Sequence, residues 1–266
     1  MGQAITVVDA FTDTPFSGNP AAVCVLARPT TEAWMRAVAA EMNLSETAFL
    51  VPRDDGDHDL RWFTRTSEVD LCGHATLASA HVLGGSRRFH TRSGVLAGAA
   101  GEGGTLVLDL PATRVAPVAD PPDWAAALGL PPGRIVGVWG GEGGWVLAEA
   151  ASPADVRRLV PDMAAIEALG GYVLVVAAPG ERPGLDSVCR LFAPNVGIPE
   201  DPVTGAAHCV IAPWLAERTG RTEFAGEQAS ARGGRVEMRV AGDRVFLTGH
   251  AVTVWEGVLC ADPPPA

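Results

Sequence analysis

Hydrophobic positions along this chain fall mostly in short runs bounded by glycine, proline and polar residues, a pattern that predicts β-strands. In the first half, strands are predicted at residues 6–11, 21–26, 47–51, 60–64 and 106–110. In the second half, they are predicted at 135–139, 145–148, 172–177, 188–192, 236–240, 245–248 and 252–255. Both halves of the chain are therefore expected to be rich in β-structure.

Helix signals are fewer, and they fall at residues 31–42, 75–83, 153–160 and 206–219. Ser152 and Pro153 form a typical helix start, and Gly220 follows the last helix, where a left-handed residue commonly ends one. The segments after Gly73 and Gly205 are apolar on nearly all sides. A helix of that kind is expected to be buried within the protein.

Those two buried helices follow a repeated motif, DLCGHATLA at residues 70–78 and DPVTGAAHC at 201–209. Each motif runs from an acidic residue through a glycine into the apolar helix. The repetition predicts an α+β protein of two similar β-rich units, each wrapped around one buried helix. We place one lobe at residues 1–113, completed by a strand at about 254–262, and the other at 114–253, with the proline-rich stretch 111–122 as the crossing.

The repeated helix starts also indicate a ligand. The first backbone N–H groups of a helix have no acceptor within the helix and carry the positive end of its dipole. Two such ends facing one cleft would hold an anionic group. We therefore expect a small-molecule carboxylate substrate between the two halves.

Composition excludes several other partners. Acidic residues outnumber basic ones by 31 to 20, for a net charge of −11, which disfavours binding to nucleic acid. No apolar run approaches the roughly 20 residues needed to cross a bilayer, and residues 1–5 lack the features of a secretory signal. We expect a cytoplasmic protein that binds neither nucleic acid nor a membrane.

All 20 basic residues are arginine, which excludes chemistry that requires lysine: a Schiff base, a pyridoxal phosphate aldimine or a P-loop. The 5 cysteines are scattered and odd in number, as in proteins with reduced thiols. No Cys-x-x-Cys or His-x-x-x-His spacing is present, so no metal site is predicted.

Carboxylates and a thiol near the helix starts are candidates for chemistry. Glu46 lies between apolar neighbours where a strand begins, so it is either a partly desolvated acid/base with a raised pKa or a solvated loop residue. Asp201 is either a site residue or part of an Asp-Pro turn. Cys72 precedes Gly73, where the helix dipole favours a reactive thiolate, or else it is a small buried filler.

Three further side chains are interpreted from their local sequence. His74 follows Gly73 directly and is expected at the mouth of the helix, whereas Cys209 lies a full turn inside its helix and is expected in the core. Asn19, in a Gly-Asn-Pro sequence, is first of all a turn residue and alternatively a ligand contact.

In order along the chain, these motifs resemble those of the PhzF-like (phenazine biosynthesis) isomerases. The resemblance is carried by VDAFT at 8–12, PFSGNPAAV at 15–23, NLSETAF at 43–49, LCGHATLA at 71–78, EDPVTGAA at 200–207 and LTGHAVTV at 247–254. It implies the diaminopimelate epimerase fold, in which two pseudo-symmetric units each form a β-barrel-like sheet around a central buried helix. It also implies no cofactor and commonly a homodimer. Glu46 would be the acid/base, with His74 and Asp201 as further catalytic residues.

The resemblance also implies Ser45 as a site residue beside the catalytic ones. The local reasoning on helix starts and loops adds substrate contacts at Asn19, Cys72, Gly73, Gly205, Ala206 and Ala207. Two departures matter: Ala75 follows His74 where phenazine-pathway members commonly carry proline, and Thr204 stands where related epimerases have a second cysteine. The phenazine substrate and two-thiol racemisation are both disfavoured by these differences.

We therefore expect a cofactor-independent isomerase that moves a proton on a small unsaturated carboxylate or amino-acid-like intermediate of bacterial secondary metabolism. Two alternatives stay open. One is an amino-acid racemase or epimerase that uses Cys72 with a carboxylate, and the other is a non-catalytic ligand-binding member of the fold.

Overall fold

The computed structural model describes residues 2–170 and 173–266, which divide into two compact units. Unit 1 runs to Leu110 and resumes at Phe246, and unit 2 comprises Pro111–Val245. Sheets with few helices make up both units, so the expected α+β class is confirmed. The lobe boundaries at 113/114 and 253/254 stay a prediction.

The elements of unit 1 alternate short strands with two longer helices. In chain order they are β1 (Gln3–Ala10), β2 (Asn19–Val25), α1 (Glu32–Met42), β3 (Glu46–Pro52), β4 (His58–Phe63), β5 (Glu68–Val69), α2 (Gly73–Leu83), β6 (Arg87–Thr91), β7 (Gly94–Ala100) and β8 (Leu106–Pro111). 

The elements that follow β8 include three short helices and one long helix. They are β9 (Val115–Pro117), α3 (Trp124–Ala127), β10 (Ile135–Gly141), β11 (Trp145–Ala150), α4 (Pro153–Arg157), α5 (Met163–Ala168), β12 (Val173–Arg182), β13 (Leu185–Ala193), β14 (Ile198–Asp201), α6 (Gly205–Thr219), β15 (Glu223–Gln228) and β16 (Gly234–Ala241). The chain ends with β17 (Arg244–Gly249) and β18 (Ala251–Leu259), and β18 belongs to unit 1.

The sheet of unit 1 has the strand order β18, β1, β2, β3, β4, β6, β7. Neighbours are antiparallel except for β2–β3 and β4–β6, which are parallel because α1 and α2 provide the crossovers. α2 packs against β1, β2, β3, β7 and β18 and is buried through its first two turns. Its polar Thr76 and Ser79 donate to the carbonyls of Cys72 and Ala75, which removes the cost of burying those hydroxyls.

Unit 2 repeats this connectivity. Its strands follow the order β9, β10, β11, β12, β13, β15, β16, and the parallel pairs are β11–β12 and β13–β15. α4 and α5 lie between the first parallel pair in sequence, as α1 does in unit 1. α6 lies between the second pair, as α2 does, so each unit carries one long buried helix that begins with glycine.

Several element boundaries differ from the sequence-based ones. The helix predicted at 153–160 ends at Arg157, because Val160 precedes Pro161 and donates its N–H to the carbonyl of Leu128. β9 interrupts the predicted crossing at 111–122. The first residue of the strand predicted at 172–177, Tyr172, lies outside the described residues, and β12 is described from Val173. Among the described residues, no helix combines the length and apolar character needed to cross a membrane.

Candidate active site

Glu46 is the first residue of β3, directly after the loop that leaves α1. α1 ends at Asn43, which adopts a left-handed conformation with φ of 53° and turns the chain into the sheet. β3 lies parallel to β2 with Glu46 opposite Ala21. Glu46 therefore sits beside the start of β2, where Asn19 is, and only 8% of its surface is exposed. Ser45, one residue earlier, is half-buried.

His74 lies in the first turn of α2 and contacts both Glu46 and Asn19. Its Nε2 is 3.2 Å from Oε2 of Glu46, and its Nδ1 is 3.1 Å from Nδ2 of Asn19. An amide nitrogen only donates, so Nδ1 is the acceptor and the ring proton sits on Nε2, facing Glu46. Asn19 thereby sets the tautomer of His74. His74 was expected at the mouth of the helix, and its side chain is instead almost fully buried.

Burial also fixes the charge of this histidine. Desolvation lowers the pKa of His74 to about 3, because the protonated ring would lose its hydration. The imidazole is therefore neutral near pH 7. It can donate a hydrogen bond to a carboxylate, but it is not a cation that pairs with one.

Cys72 occupies the position just before the same helix, and its side chain contacts the His74 ring rather than the helix start. Its Sγ lies 3.5 Å from Nδ1 of His74, and the residue is buried. Because Nδ1 is an acceptor, the thiol donates towards it. The imidazole thus has Cys72 and Asn19 at one nitrogen and Glu46 at the other.

Among the residues that the structure describes, two groups of side chains could hold a metal ion. One is Glu46, Cys72 and His74, whose donor atoms all lie within 4.8 Å of one another. The two nitrogens of His74 face different partners in that group, which suits a hydrogen-bonded chain better than shared coordination of one ion. The other is Asp55, Asp57 and His90, which is partly exposed, with His90 Nε2 2.8 Å from Oδ2 of Asp57.

The start of α2 is suited to an anion. Gly73, His74 and Ala75 are buried, and no side chain caps the helix. The N–H groups of a first turn have no acceptor within their helix, so a buried, uncapped start favours a bound carboxylate.

In unit 2, Asp201 is the last residue of β14 and is buried. The hydroxyl of Thr204 donates to its Oδ2. Gln228 at the end of β15 joins both residues: its Nε2 donates to the carbonyl of Asp201 at 2.7 Å, and its Oε1 accepts from the N–H of Thr204 at 2.8 Å.

α6 begins at Gly205, directly after Thr204, and no side chain caps it. Ala206 is half-buried and Ala207 is buried. Cys209 lies in the core as expected, and burial raises the pKa of its thiol to about 12, so it is inert at neutral pH.

The site residues predicted from sequence thus form one constellation in each unit. Unit 1 brings together Asn19, Glu46, Cys72 and His74, and unit 2 brings together Asp201 and the start of α6. Sequence reasoning missed Gln228. Gln228 follows Phe224 by four residues and Gly226 by two, so all three lie on the same face of the strand. That spacing was the available signal, because it places a polar side chain on the buried face.

Comparisons with known proteins identify the family of this chain. The profile of the family described as phenazine biosynthesis-like protein (PhzC-PhzF) matches residues 8–257. A Pseudomonas aeruginosa protein named as an uncharacterized isomerase is 44% identical over 266 residues, covering 97% of this chain and 99% of that protein. The human phenazine biosynthesis-like domain-containing protein is 36% identical and covers 98% of this chain and 100% of its own.

Solved structures show the same fold. A PhzF-family protein of Enterococcus faecalis superimposes with a TM-score of 0.90 at 36% identity, over 98% of this chain and 100% of that one. A hydroxyproline epimerase of Agrobacterium vitis shares the fold at 13% identity, with a TM-score of 0.65 over 98% and 93% of the two chains. The chain belongs to the phenazine biosynthesis-like (PhzF) family and is an enzyme of the isomerase type.

Proposed function

We propose that this protein is a cofactor-independent isomerase that moves a proton between carbons of a small unsaturated carboxylate or amino-acid-like molecule. The observation that carries the proposal is the buried Glu46 beside the neutral His74, whose ring proton faces it. A carboxylate held this way can accept and return a proton while the charges of the neighbouring side chains stay the same. A role in secondary metabolism and a homodimer are further proposals that rest on the resemblance, and a cytoplasmic location is one that rests on the sequence.

The proton transfer has two balanced halves. The ionised Glu46 takes a proton from a carbon next to a double bond, so one C–H bond breaks and an O–H bond forms on Glu46. The electron pair left on carbon shifts the double bond by one position. The O–H proton of Glu46 exchanges with solvent in this intermediate, and Glu46 then delivers a proton to the far carbon, so the O–H bond breaks, a C–H bond forms, and nothing is oxidised or reduced.

The neighbours of Glu46 have distinct roles in this scheme. Nε2 of His74 lies 3.2 Å from Oε2 and the two atoms form no hydrogen bond, so the polar N–H would stabilise the ionised carboxylate through its dipole before abstraction and after return of the proton. The amides at the buried start of α2, including Gly73, would bind the substrate carboxylate as charge moves towards it. Ser45 and Cys72 would line the same part of unit 1.

The constellation of unit 2 supports a second set of contacts. Asp201 would accept a hydrogen bond from an amino or hydroxyl substituent, because its Oδ2 already accepts from Thr204 and the carboxylate is an acceptor when ionised. The amides of Gly205, Ala206 and Ala207 would receive an anionic group.

Turnover in heavy water tests the role of Glu46. The wild type, Glu46→Gln and a control variant at an exposed glutamate of α1, Glu41→Gln, are incubated in D2O with a panel of small unsaturated amino carboxylates and followed by NMR. We expect deuterium at an allylic carbon with the wild type and the control, and a loss of at least roughly 100-fold in Glu46→Gln. Full turnover by Glu46→Gln would refute the assignment.

A second candidate, an amino-acid racemase, is favoured by one contact: the thiol of Cys72 lies 3.5 Å from Nδ1 of His74, as a histidine-assisted thiol base would. In unit 2 the residue before the helix is Thr204, which supplies no second thiol. The same D2O experiment separates the two reactions, because racemisation labels the α-carbon and the proton shift labels an allylic carbon.

A further inference from the structure

The side chain of Gln228 makes three hydrogen bonds to the Asp201–Thr204 turn. It is fully buried at the end of that strand. Its Nε2 donates to the carbonyl of Asp201 at 2.7 Å and to Oγ1 of Thr204 at 3.3 Å. Its Oε1 accepts from the N–H of Thr204 at 2.8 Å, so both hydrogens and the oxygen of the amide are engaged.

We propose that Gln228 is a positioning residue, which holds Thr204 and, through it, the carboxylate of Asp201 in the orientation that receives substrate. The inference rests on the proposed function, because it takes Asp201 as a group that contacts the substrate. Gln228 itself acts only through its two neighbours.

The direction of the hydrogen bonds supports this assignment. Because Oγ1 of Thr204 accepts from Nε2 of Gln228, the hydroxyl hydrogen of Thr204 is directed to Oδ2 of Asp201. A reversed amide would place its nitrogen against the N–H of Thr204 and its oxygen against the carbonyl of Asp201. Only one orientation of the glutamine fits, and it leaves one orientation for the hydroxyl.

Thr204 is also held from a third direction. Nδ1 of His208 donates to its carbonyl at 2.9 Å. The His208 ring lies so close to Gly226 that a Cβ there would be 3.1 Å from it, which explains a glycine at that position of β15. Every polar atom of Thr204 is therefore bound by a buried side chain.

This arrangement decides which amides of α6 can bind an anion. The N–H of Thr204 already donates to Gln228, so it is not available to bind an anion. The amides of Gly205, Ala206 and Ala207 come next in the chain, and their direction depends on how the turn is held. Gln228 thus orients both the carboxylate of Asp201 and the start of α6.

The test combines Gln228→Met, which keeps the size and removes the amide, with Thr204→Val and the double variant. Gln3→Met is the matched control, since Gln3 is a buried glutamine of β1 that donates to the carbonyls of Ala4 and Val25. The readouts are kcat/KM in the D2O assay, amide hydrogen exchange at Thr204, and thermal unfolding. Thr204→Ser, which keeps the hydroxyl, serves as the conservative variant.

We expect Gln228→Met and Thr204→Val each to lower kcat/KM by roughly 100-fold, as a displaced site residue does, while Gln3→Met stays within about twofold. The double variant should lie within about threefold of the worse single one, because the residues act as one network. Exchange at the Thr204 amide should accelerate in Gln228→Met, and Thr204→Ser should retain most activity.

Two outcomes would overturn the inference. One is faster exchange at Thr204 in Gln228→Met with unchanged kcat/KM, which would make the contacts purely structural. The other is an equal loss of activity in Gln228→Met and Gln3→Met when the two variants lose the same thermal stability. The loss of activity would then follow from destabilisation alone. Failure of the proposed function is distinguished by Glu46→Gln, since full turnover there refutes the isomerase assignment whatever Gln228→Met does.

Discussion

Nε2 of His74 lies 3.2 Å from Oε2 of Glu46, and both side chains are buried in unit 1. Because burial lowers the pKa of His74 to about 3, the contact joins a neutral donor to a carboxylate. In the proposed reaction, a neutral imidazole leaves the charge of the ionised Glu46 uncancelled, as a base that takes a proton from carbon requires. The tautomer of His74, which Asn19 sets, decides whether an N–H or a lone pair faces that carboxylate.

The first prediction reverses that tautomer. In Asn19→Asp, the new carboxylate accepts a hydrogen bond from Nδ1 of His74, so the ring proton moves to Nδ1 and a lone pair on Nε2 faces Oε2 of Glu46. We expect kcat/KM to fall at least roughly tenfold, because two acceptors then face each other in a buried site. The 15N chemical shifts of the His74 ring report the change of tautomer directly.

An exposed asparagine provides the control for that experiment. Asn43 ends α1 in a left-handed conformation, which aspartate also tolerates. Asn43→Asp adds the same charge to the same unit and should leave the ring shifts of His74 unchanged. If Asn19→Asp kept both the shifts and the activity of the wild type, Asn19 would have no part in setting the tautomer.

The second prediction concerns Cys72 and separates the two enzyme mechanisms. In the proton shift the thiol only donates weakly to Nδ1 of His74, so Cys72→Ala should lower kcat/KM by less than about tenfold. In a racemase the thiol is one of two bases, and its removal should cost roughly 1,000-fold or more. Steady-state kinetics of Cys72→Ala and Cys72→Ser, with Cys260→Ser at an exposed position as the control, decide between these outcomes.

The sequence predicted the type of fold and the residues of the site better than their contacts. The repeated glycine-led helix starts indicated two similar units, because a short local pattern is enough to mark a buried helix start. The resemblance then pointed to Glu46, His74 and Asp201. Neither could give the contact between Asn19 and His74, because strand order and register bring distant residues together and local periodicity carries no information about either.

Gln228 shows the physical reason for the largest omission. β15 was not predicted, because its buried face includes Gly226 and Gln228 in place of the β-branched residues that mark a strand. Those two residues serve the turn before α6: Gly226 leaves room for His208, and Gln228 binds Thr204. Positions that depart from the hydrophobic pattern are thus the ones that build the site.

The third prediction is a pH dependence of stability that originates at His208. Burial lowers its pKa from 6.5 to about 4. Between those values the unfolded chain binds a proton that the native protein does not, so the free energy of unfolding falls as the pH falls from 6.5 to 4. The loss is on the order of 3 kcal/mol for a shift of this size.

Urea unfolding at a series of pH values measures that slope. His208→Gln cannot titrate, so its free energy of unfolding should fall less steeply than that of the wild type between pH 6.5 and 4. A residual slope is expected, because the pKa of His74 is lowered in the same direction. Parallel curves for the wild type and His208→Gln would contradict the prediction.

The last prediction concerns a buried carboxylate in unit 2. Asp155 is fully buried at the third position of α4, where it accepts a hydrogen bond from the Ser152 hydroxyl at 2.7 Å and ion pairs with Arg134 and Arg158. The hydrogen bond from Arg134 is the main reason that the pKa of Asp155 lies below 3.8. Asp155→Asn removes the charge and turns an amide nitrogen towards an arginine, so we expect a loss of about 2 kcal/mol in the free energy of unfolding at pH 7.

The sign of the pH effect at Asp155 makes that prediction specific. A lowered pKa stabilises the native state above the unfolded value of 3.8, and the stabilisation is lost as the pH falls through the native pKa. The difference between the wild type and Asp155→Asn should therefore be constant from pH 7 to about 5 and shrink below 3.8. Asp243→Asn, at an exposed position of the same unit, should not differ from the wild type by more than about 0.5 kcal/mol. A difference for Asp155→Asn that persisted undiminished at pH 2 would show that packing, rather than the charge, accounts for the loss.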